Sequence, residues 1–100
     1  LTFQELTNNA KEYSRNEFRH YSVLYHGVGL CDEFPAISFS WELNENSFDG
    51  ILKPGMVLCV ESYVGRYSGG PGVKLEEQVL ITNKGYELLT NYPFESELIL

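Results

Sequence analysis

The chain is poor in positive charge. Seven Lys and Arg stand against fourteen Asp and Glu among 100 residues, for a formal net charge of −7. The basic residues do not cluster, so the chain lacks the cationic footprint that a phosphate backbone requires, and nucleic acid is excluded as a partner. No basic segment leads into an apolar stretch of signal-peptide type, and no apolar run nears the roughly 20 residues of a membrane span. Secretory and membrane classes are set aside, and a cytoplasmic location is expected. Cysteine is scarce as well. Cys31 and Cys59 show no framework spacing and read as free thiols of a reducing compartment. Metal-site spacings of the His-x-x-x-His or Cys-x-x-Cys kind are missing. The first residue is Leu1 rather than Met, and the expectation is the C-terminal part of something longer.

What is present suffices for one domain with a modest core. Hydrophobic residues make up 43% of the chain and aromatics 14%, which argues against disorder. Thr2-Phe3-Gln4-Glu5 has the spacing of a capping box, with Leu1 and Leu6 placed as a hydrophobic staple. Phe3, Leu6, Ala10 and Tyr13 then recur at helical intervals, predicting an amphipathic helix that fades near Ser14. From about His20 the pattern becomes β-rich. Tyr21–Tyr25 reads as a buried strand, and the glycines at 27 and 29 allow a close backbone approach. Residues 36–50 read mostly as loop. Lys53-Pro54-Gly55 has the make-up of a type II turn leading into a strand from Met56 to Tyr63. The glycine-rich stretch 65–72 reads as loop, Val73–Thr82 as the next strand, and Asn83-Lys84-Gly85 as the turn of a hairpin. The predicted class is α+β: antiparallel strands with the N-terminal helix packed on one face.

Three residues carry potential chemistry. Glu61 follows the apolar run Met56–Val60. A carboxylate there is costly unless it is paired or bound to a metal, or unless it is the first exposed residue at a strand end. Glu76 lies on the strand face opposite to Val73, Leu75, Val79 and Ile81, a face that serves either solvent or a site; its neighbour Glu77 competes for any role. His26 sits between a strand and two glycines, where small residues leave room for a cation, although a lone histidine is more commonly a satisfied or surface group. One imidazole with carboxylates suits iron, manganese, cobalt or zinc better than copper.

At these residues the sequence resembles a known family. His26-Gly27-Val28-Gly29-Leu30, the Leu-x-Pro-Gly-Met turn into a strand ending at Glu61, and Gly72-Val73-x-Leu75-Glu76-x-x-Val79-Leu80-Ile81-Thr82-x-x-Gly85 are similar, in this order, to the C-terminal half of the pita-bread metalloenzymes. These include aminopeptidase P, prolidase, methionine aminopeptidase and creatinase. The resemblance implies that residues 1–100 are the C-terminal part of one pita-bread catalytic domain, with His26, Glu61 and Glu76 as metal ligands. It also implies two divalent metal ions in the complete site, with two further aspartate ligands upstream of residue 1, so that this stretch alone is expected to be inactive. Members are often dimers, which leaves a homodimer among the expected assemblies.

The chain departs from the peptidases at two positions. They carry a histidine four residues before the ligand histidine and another seven after it, where this sequence has Ser22 and Glu33. The run from Tyr21 through Pro35, with Val60-Glu61-Ser62-Tyr63-Val64-Gly65 and Asn91-Tyr92-Pro93-Phe94-Glu95, is similar instead to the dimethylsulfoniopropionate (DMSP) lyase branch. That branch implies Asp32 as catalytic base and Tyr21 as substrate-orienting, with Tyr25, Phe34 or Trp41 facing a sulfonium by cation–π contact. Without the resemblance, Asp32 would read as a turn residue before Pro35; for at least two of the three aromatics the expected role is core packing. The expected function is a metal-dependent lyase acting on a small molecule; the alternatives are an Xaa-Pro metallopeptidase and a pita-bread module without turnover.

Overall fold

The computed structural model describes residues 1–98. The capping box forms as its spacing demands: the Thr2 hydroxyl accepts from the Glu5 N–H at 3.0 Å, and the Glu5 carboxylate accepts from the Thr2 N–H at 2.7 Å. The helix it starts, α1, covers Phe3–Asn9 and ends well short of Ser14. Thr7, Asn8 and Asn9 are weak helix formers. The Asn9 amide donates to the Glu5 carbonyl and the Ala10 N–H to Thr7, so the end is satisfied locally. Phe3 and Thr7 are its buried residues, and the Thr7 hydroxyl donates to the Ser38 carbonyl at 2.8 Å. Tyr13, expected on the buried face, lies beyond the helix and is exposed.

Among the described residues six strands follow, β1 (Phe18–Arg19), β2 (Val23–Val28), β3 (Asp32–Ser38), β4 (Val57–Arg66), β5 (Gly72–Thr82) and β6 (Gly85–Leu88). They form one antiparallel sheet in the order β3-β2-β4-β5-β6, with β1 paired to the far end of β4. Strand β3 corrects the expectation of loop from residue 36. It is an edge strand, and its ladder with β2 is irregular where Phe34 and Pro35 fall between Ala36, paired with His26, and Glu33, paired with Gly27. A proline without an N–H is tolerated at such a place. The predicted turn at Pro54-Gly55 is present, with Gly55 at φ 93° and the Met56 N–H donating to the Lys53 carbonyl. The hairpin of β5 and β6 closes through Thr82 opposite Gly85. The stretch 65–72 is only partly loop, since β4 runs through Arg66 and β5 starts at Gly72.

Alternation along the strands separates two faces. Leu58, Val60, Val79 and Ile81 border an apolar hollow of about 690 Å³, with Leu1, Leu6 and Tyr25. The opposite face carries His26, Cys59, Glu61 and Glu76 around a cleft of about 530 Å³. Leu58, at 2% exposure, is the anchor of the core. Among the described residues no helix is long and apolar enough to cross a membrane.

Candidate metal centre

Register assembles the site. On the polar face of the β4–β5 ladder the pairs run Cys59 opposite Gln78, Glu61 opposite Glu76, Tyr63 opposite Lys74 and Gly65 opposite Gly72. On the other side of β4, His26 pairs with Cys59. The three residues proposed from sequence as ligands thus come from three adjacent strands and face the same cleft. Gly27 permits this closeness. A Cβ there would fall 2.4 Å from the Phe34 carbonyl oxygen, so only glycine lets β2 and β3 meet beside His26.

His26 is oriented from behind. Its Nδ1–H donates to the Gly27 carbonyl at 2.8 Å, leaving Nε2 to face the cleft, 3.0 Å from Glu61 Oε1 and 3.7 Å from Asp32 Oδ1. A backbone acceptor behind a histidine fixes the tautomer and aims the ring, as it does for metal-bound histidines. The His26 and Glu61 side chains are 13% and 10% exposed. Partial burial disfavours the charged form of His26, but the bonds to Gly27 and Glu61 and the nearby Asp32 charge outweigh it and raise its pKa. Burial also works to raise the Glu61 pKa. Hydrogen bonds with Glu76, His26 and Lys74, together with the Lys74 charge, overcome it and hold the carboxyl at about 2.

Lys74 was not anticipated from sequence. Its ammonium lies 3.2 Å from Glu61 Oε2 and also pairs with Glu76, so a cation bridges the two carboxylates. The hydrogen bond to Glu76, then that to Glu61, pushes the Lys74 pKa above the usual lysine range. Cys59 is the other addition, its Sγ 3.7 Å from Glu61 Oε1. His26, Cys59 and Glu61 offer donor atoms all within 4.8 Å of one another. Burial, then the charges of Glu61 and Glu76, push the thiol up to about 11, so it stays protonated at neutral pH and is a weaker donor than the carboxylates. Strand period was the available signal for both: Cys59 stands two residues from Glu61, and Lys74 two from Glu76.

The donor set fits a divalent cation. With Nδ1 committed to the Gly27 carbonyl, Nε2 offers its lone pair to a cation once it gives up the proton it donates to Glu61; Glu61 is ionised, and a positive charge already sits between Glu61 and Glu76. Asp32 stands at the rim, 89% exposed, at the start of β3. It borders both this cleft and a second one of about 570 Å³ that Tyr21, Ser22, Phe34 and Lys74 also line. Of the three aromatics considered for the site, two serve packing instead. Tyr25 turns to the apolar hollow, because strand alternation places it opposite to His26. Trp41 stacks on Phe39 at 4.4 Å beneath the Arg15 guanidinium. Glu77, the competitor of Glu76, accepts from the Thr90 hydroxyl at 2.8 Å.

An antiparallel sheet that gathers a histidine and two carboxylates from neighbouring strands defines a candidate divalent-metal centre of an enzyme domain. The chain belongs to metallopeptidase family M24, whose model matches residues 1–83. It is similar to the dimethylsulfoniopropionate lyase DddP of Roseovarius nubinhibens, 45% identical over 100 residues that cover 99% of this chain and 22% of that protein. The DddP of Roseobacter denitrificans is 48% identical over 79 residues, 79% of this chain and 18% of that protein. An uncharacterized peptidase of Staphylococcus aureus is 41% identical over 71 residues, 69% of this chain and 18% of that protein. The chain thus spans about a fifth of the length of the curated relatives it matches.

Proposed function

We propose that the protein carrying this chain is a metal-dependent lyase that cleaves dimethylsulfoniopropionate to dimethyl sulfide and acrylate. In this reading the chain is the C-terminal part of a pita-bread catalytic domain and contributes His26, Glu61 and Glu76 to a site for two divalent ions. The observation that carries the reading is the position of Asp32. A carboxylate stands 3.7 Å from the candidate ligand His26, between two clefts, in a chain with Ser22 and Glu33 where the peptidases carry histidines. Similarity to two proteins named as DMSP lyases supports the same choice.

The residue chemistry suits an elimination. When bound, the divalent ions supply Lewis-acid polarisation of the substrate carboxylate, which acidifies the neighbouring C–H bond. Asp32 takes that proton. The C–H electron pair becomes the C=C bond of acrylate, and the C–S pair departs with sulfur as neutral dimethyl sulfide. Tyr21 orients the sulfonium end. Its ring already holds the Lys74 ammonium 5.0 Å from the centroid, so it accepts a cation in this cleft. Phe34 lines the same cleft.

A second reading, an Xaa-Pro metallopeptidase, keeps the three ligands and is favoured by the similarity to the staphylococcal peptidase. The test is dimethyl sulfide release by the full-length, metal-loaded protein beside its Asp32→Ala variant, with a Gly-Pro dipeptide as control. Gas from the parent that is lost in the variant supports the lyase and its base. Cleavage of Gly-Pro without gas transfers the assignment to the peptidase, and silence on both leaves a fold without turnover on these substrates.

A further inference from the structure

Tyr63 stands on the same face of β4 as Glu61, opposite Lys74 on β5. Its ring stacks on that of Tyr21, with centroids 4.9 Å apart and planes 17° from parallel. Tyr21 itself precedes β2, is 46% exposed, and is met by Tyr63 and by the Lys74 ammonium. Beyond Tyr63 the ladder continues into a glycine pair, Gly65 opposite Gly72. Neither glycine adopts a positive φ, so neither is there for backbone freedom. A Cβ at either position would fall 2.8 Å from the Tyr63 hydroxyl oxygen, and one at Gly72 would also meet ring carbon Cε2 at 2.9 Å. The pair leaves a bed in which the Tyr63 ring lies.

We propose that Tyr63, lying across the Gly65–Gly72 pair, is a positioning residue that holds the Tyr21 ring at the edge of the site and thereby sets substrate affinity. The proposal rests on the reading of Tyr21 as substrate-binding. Stacking of this kind restricts a ring that has few other constraints, and its loss is a modest effect on binding rather than on the proton transfer, which belongs to Asp32. The two glycines follow from the same logic, since a methyl group at Gly72 pushes the Tyr63 ring out of its bed without deleting an aromatic group.

The experiment has a kinetic and a structural arm, both on the full-length, metal-loaded protein. In dimethyl sulfide release, Tyr63→Leu and Gly72→Ala are expected to raise KM for DMSP roughly two- to tenfold, the range that aromatic stacking supports, with kcat kept within about twofold by the same reasoning. Tyr63→Phe keeps the stack and restores the parent KM. In a Tyr21→Leu background Tyr63→Leu adds nothing, because the ring it positions is gone. The structural arm is a crystal structure of the Tyr63→Leu protein, which shows Tyr21 displaced from its place. A Tyr21 ring that stays put overturns the proposal, as does a Tyr63→Leu effect that adds fully to that of Tyr21→Leu. If the parent releases no gas, the lyase reading fails, and the position of Tyr21 in the crystal still decides whether Tyr63 holds it.

Discussion

Gly27→Ala is the sharpest perturbation the fold offers. An alanine Cβ at this position would lie 2.4 Å from the Phe34 carbonyl oxygen, 2.9 Å from its carbonyl carbon and 3.0 Å from the Glu33 oxygen, all backbone atoms. Relief to ordinary contact requires about 1 Å of strand movement. Backbone cannot rotate away as a side chain does, so β2 and β3 must part, at about 1–3 kcal/mol for overpacking of this type. The movement falls where His26 pairs with Ala36, beside the candidate ligand and its Gly27 acceptor. Gly29→Ala is the control. There the three atoms nearest the new methyl group all belong to the Glu33 side chain, with Cγ at 2.6 Å, and an exposed side chain swings aside. In thermal unfolding of the metal-stripped full-length protein, Gly27→Ala is expected to lower the midpoint by roughly 1–6 °C, while Gly29→Ala stays within about 1 °C. Metal affinity falls with the first and not with the second. Equal midpoints for the two variants would refute the reasoning.

Three further outcomes follow from the charges around the cleft. Lys74→Met removes the ammonium that bridges Glu61 and Glu76 in the metal-free state, so metal should bind more tightly, by up to about tenfold in a chelator competition; weaker binding would contradict the bridging role. Glu76→Gln is expected to lower metal affinity at least about tenfold, the cost of one lost charged donor, and Glu77→Gln to leave it nearly unchanged, because Glu77 is engaged with Thr90. In the metal-free protein His26 has a raised folded pKa, so its contribution is fully present below its ordinary 6.5 and is lost as pH rises through the folded value. Glu61 is depressed from 4.5 to about 2, so its contribution is present above 4.5 and is lost as pH falls toward 2. The stability difference between parent and His26→Gln should therefore peak between pH 4.5 and 6.5, and a difference that grows steadily above pH 7.5 would contradict the pairing.

The parts of this fold that sequence made legible are those fixed by local chemistry. The capping box at Thr2 and Glu5, the Pro54-Gly55 turn and the Asn83–Gly85 hairpin each need particular residues within a few positions. The alternation along β5 separated Glu76 from Val79 and Ile81 correctly. Strand β3 was hidden because an edge strand with an irregular ladder accepts Pro35 and acidic residues that a central strand would refuse. The helix end at Asn9 depended on weak propensity with no glycine or proline to mark it. At the site, His26, Glu61 and Glu76 were proposed from their residue types and by resemblance, and the strands bring them to one cleft. Cys59 and Lys74 were missed because their importance arises from cross-strand register, which places Lys74 opposite Tyr63 and within reach of both glutamates. Which of Tyr25, Phe34 and Trp41 pack was not legible, because the sequence shows aromatic character and not which side of the sheet it serves; Tyr25 and Trp41 are the two that do.

The most direct test of the account is an anomalous-scattering map of the full-length protein crystallised with its metal, collected at that metal's absorption edge. The account predicts two peaks on this face, with His26 Nε2 and the carboxylates of Glu61 and Glu76 among their ligands at about 2.0–2.2 Å, and the Lys74 ammonium moved out from between the glutamates. A map with no peak on this face, or one in which Lys74 still bridges the two glutamates while metal binds elsewhere, would contradict it.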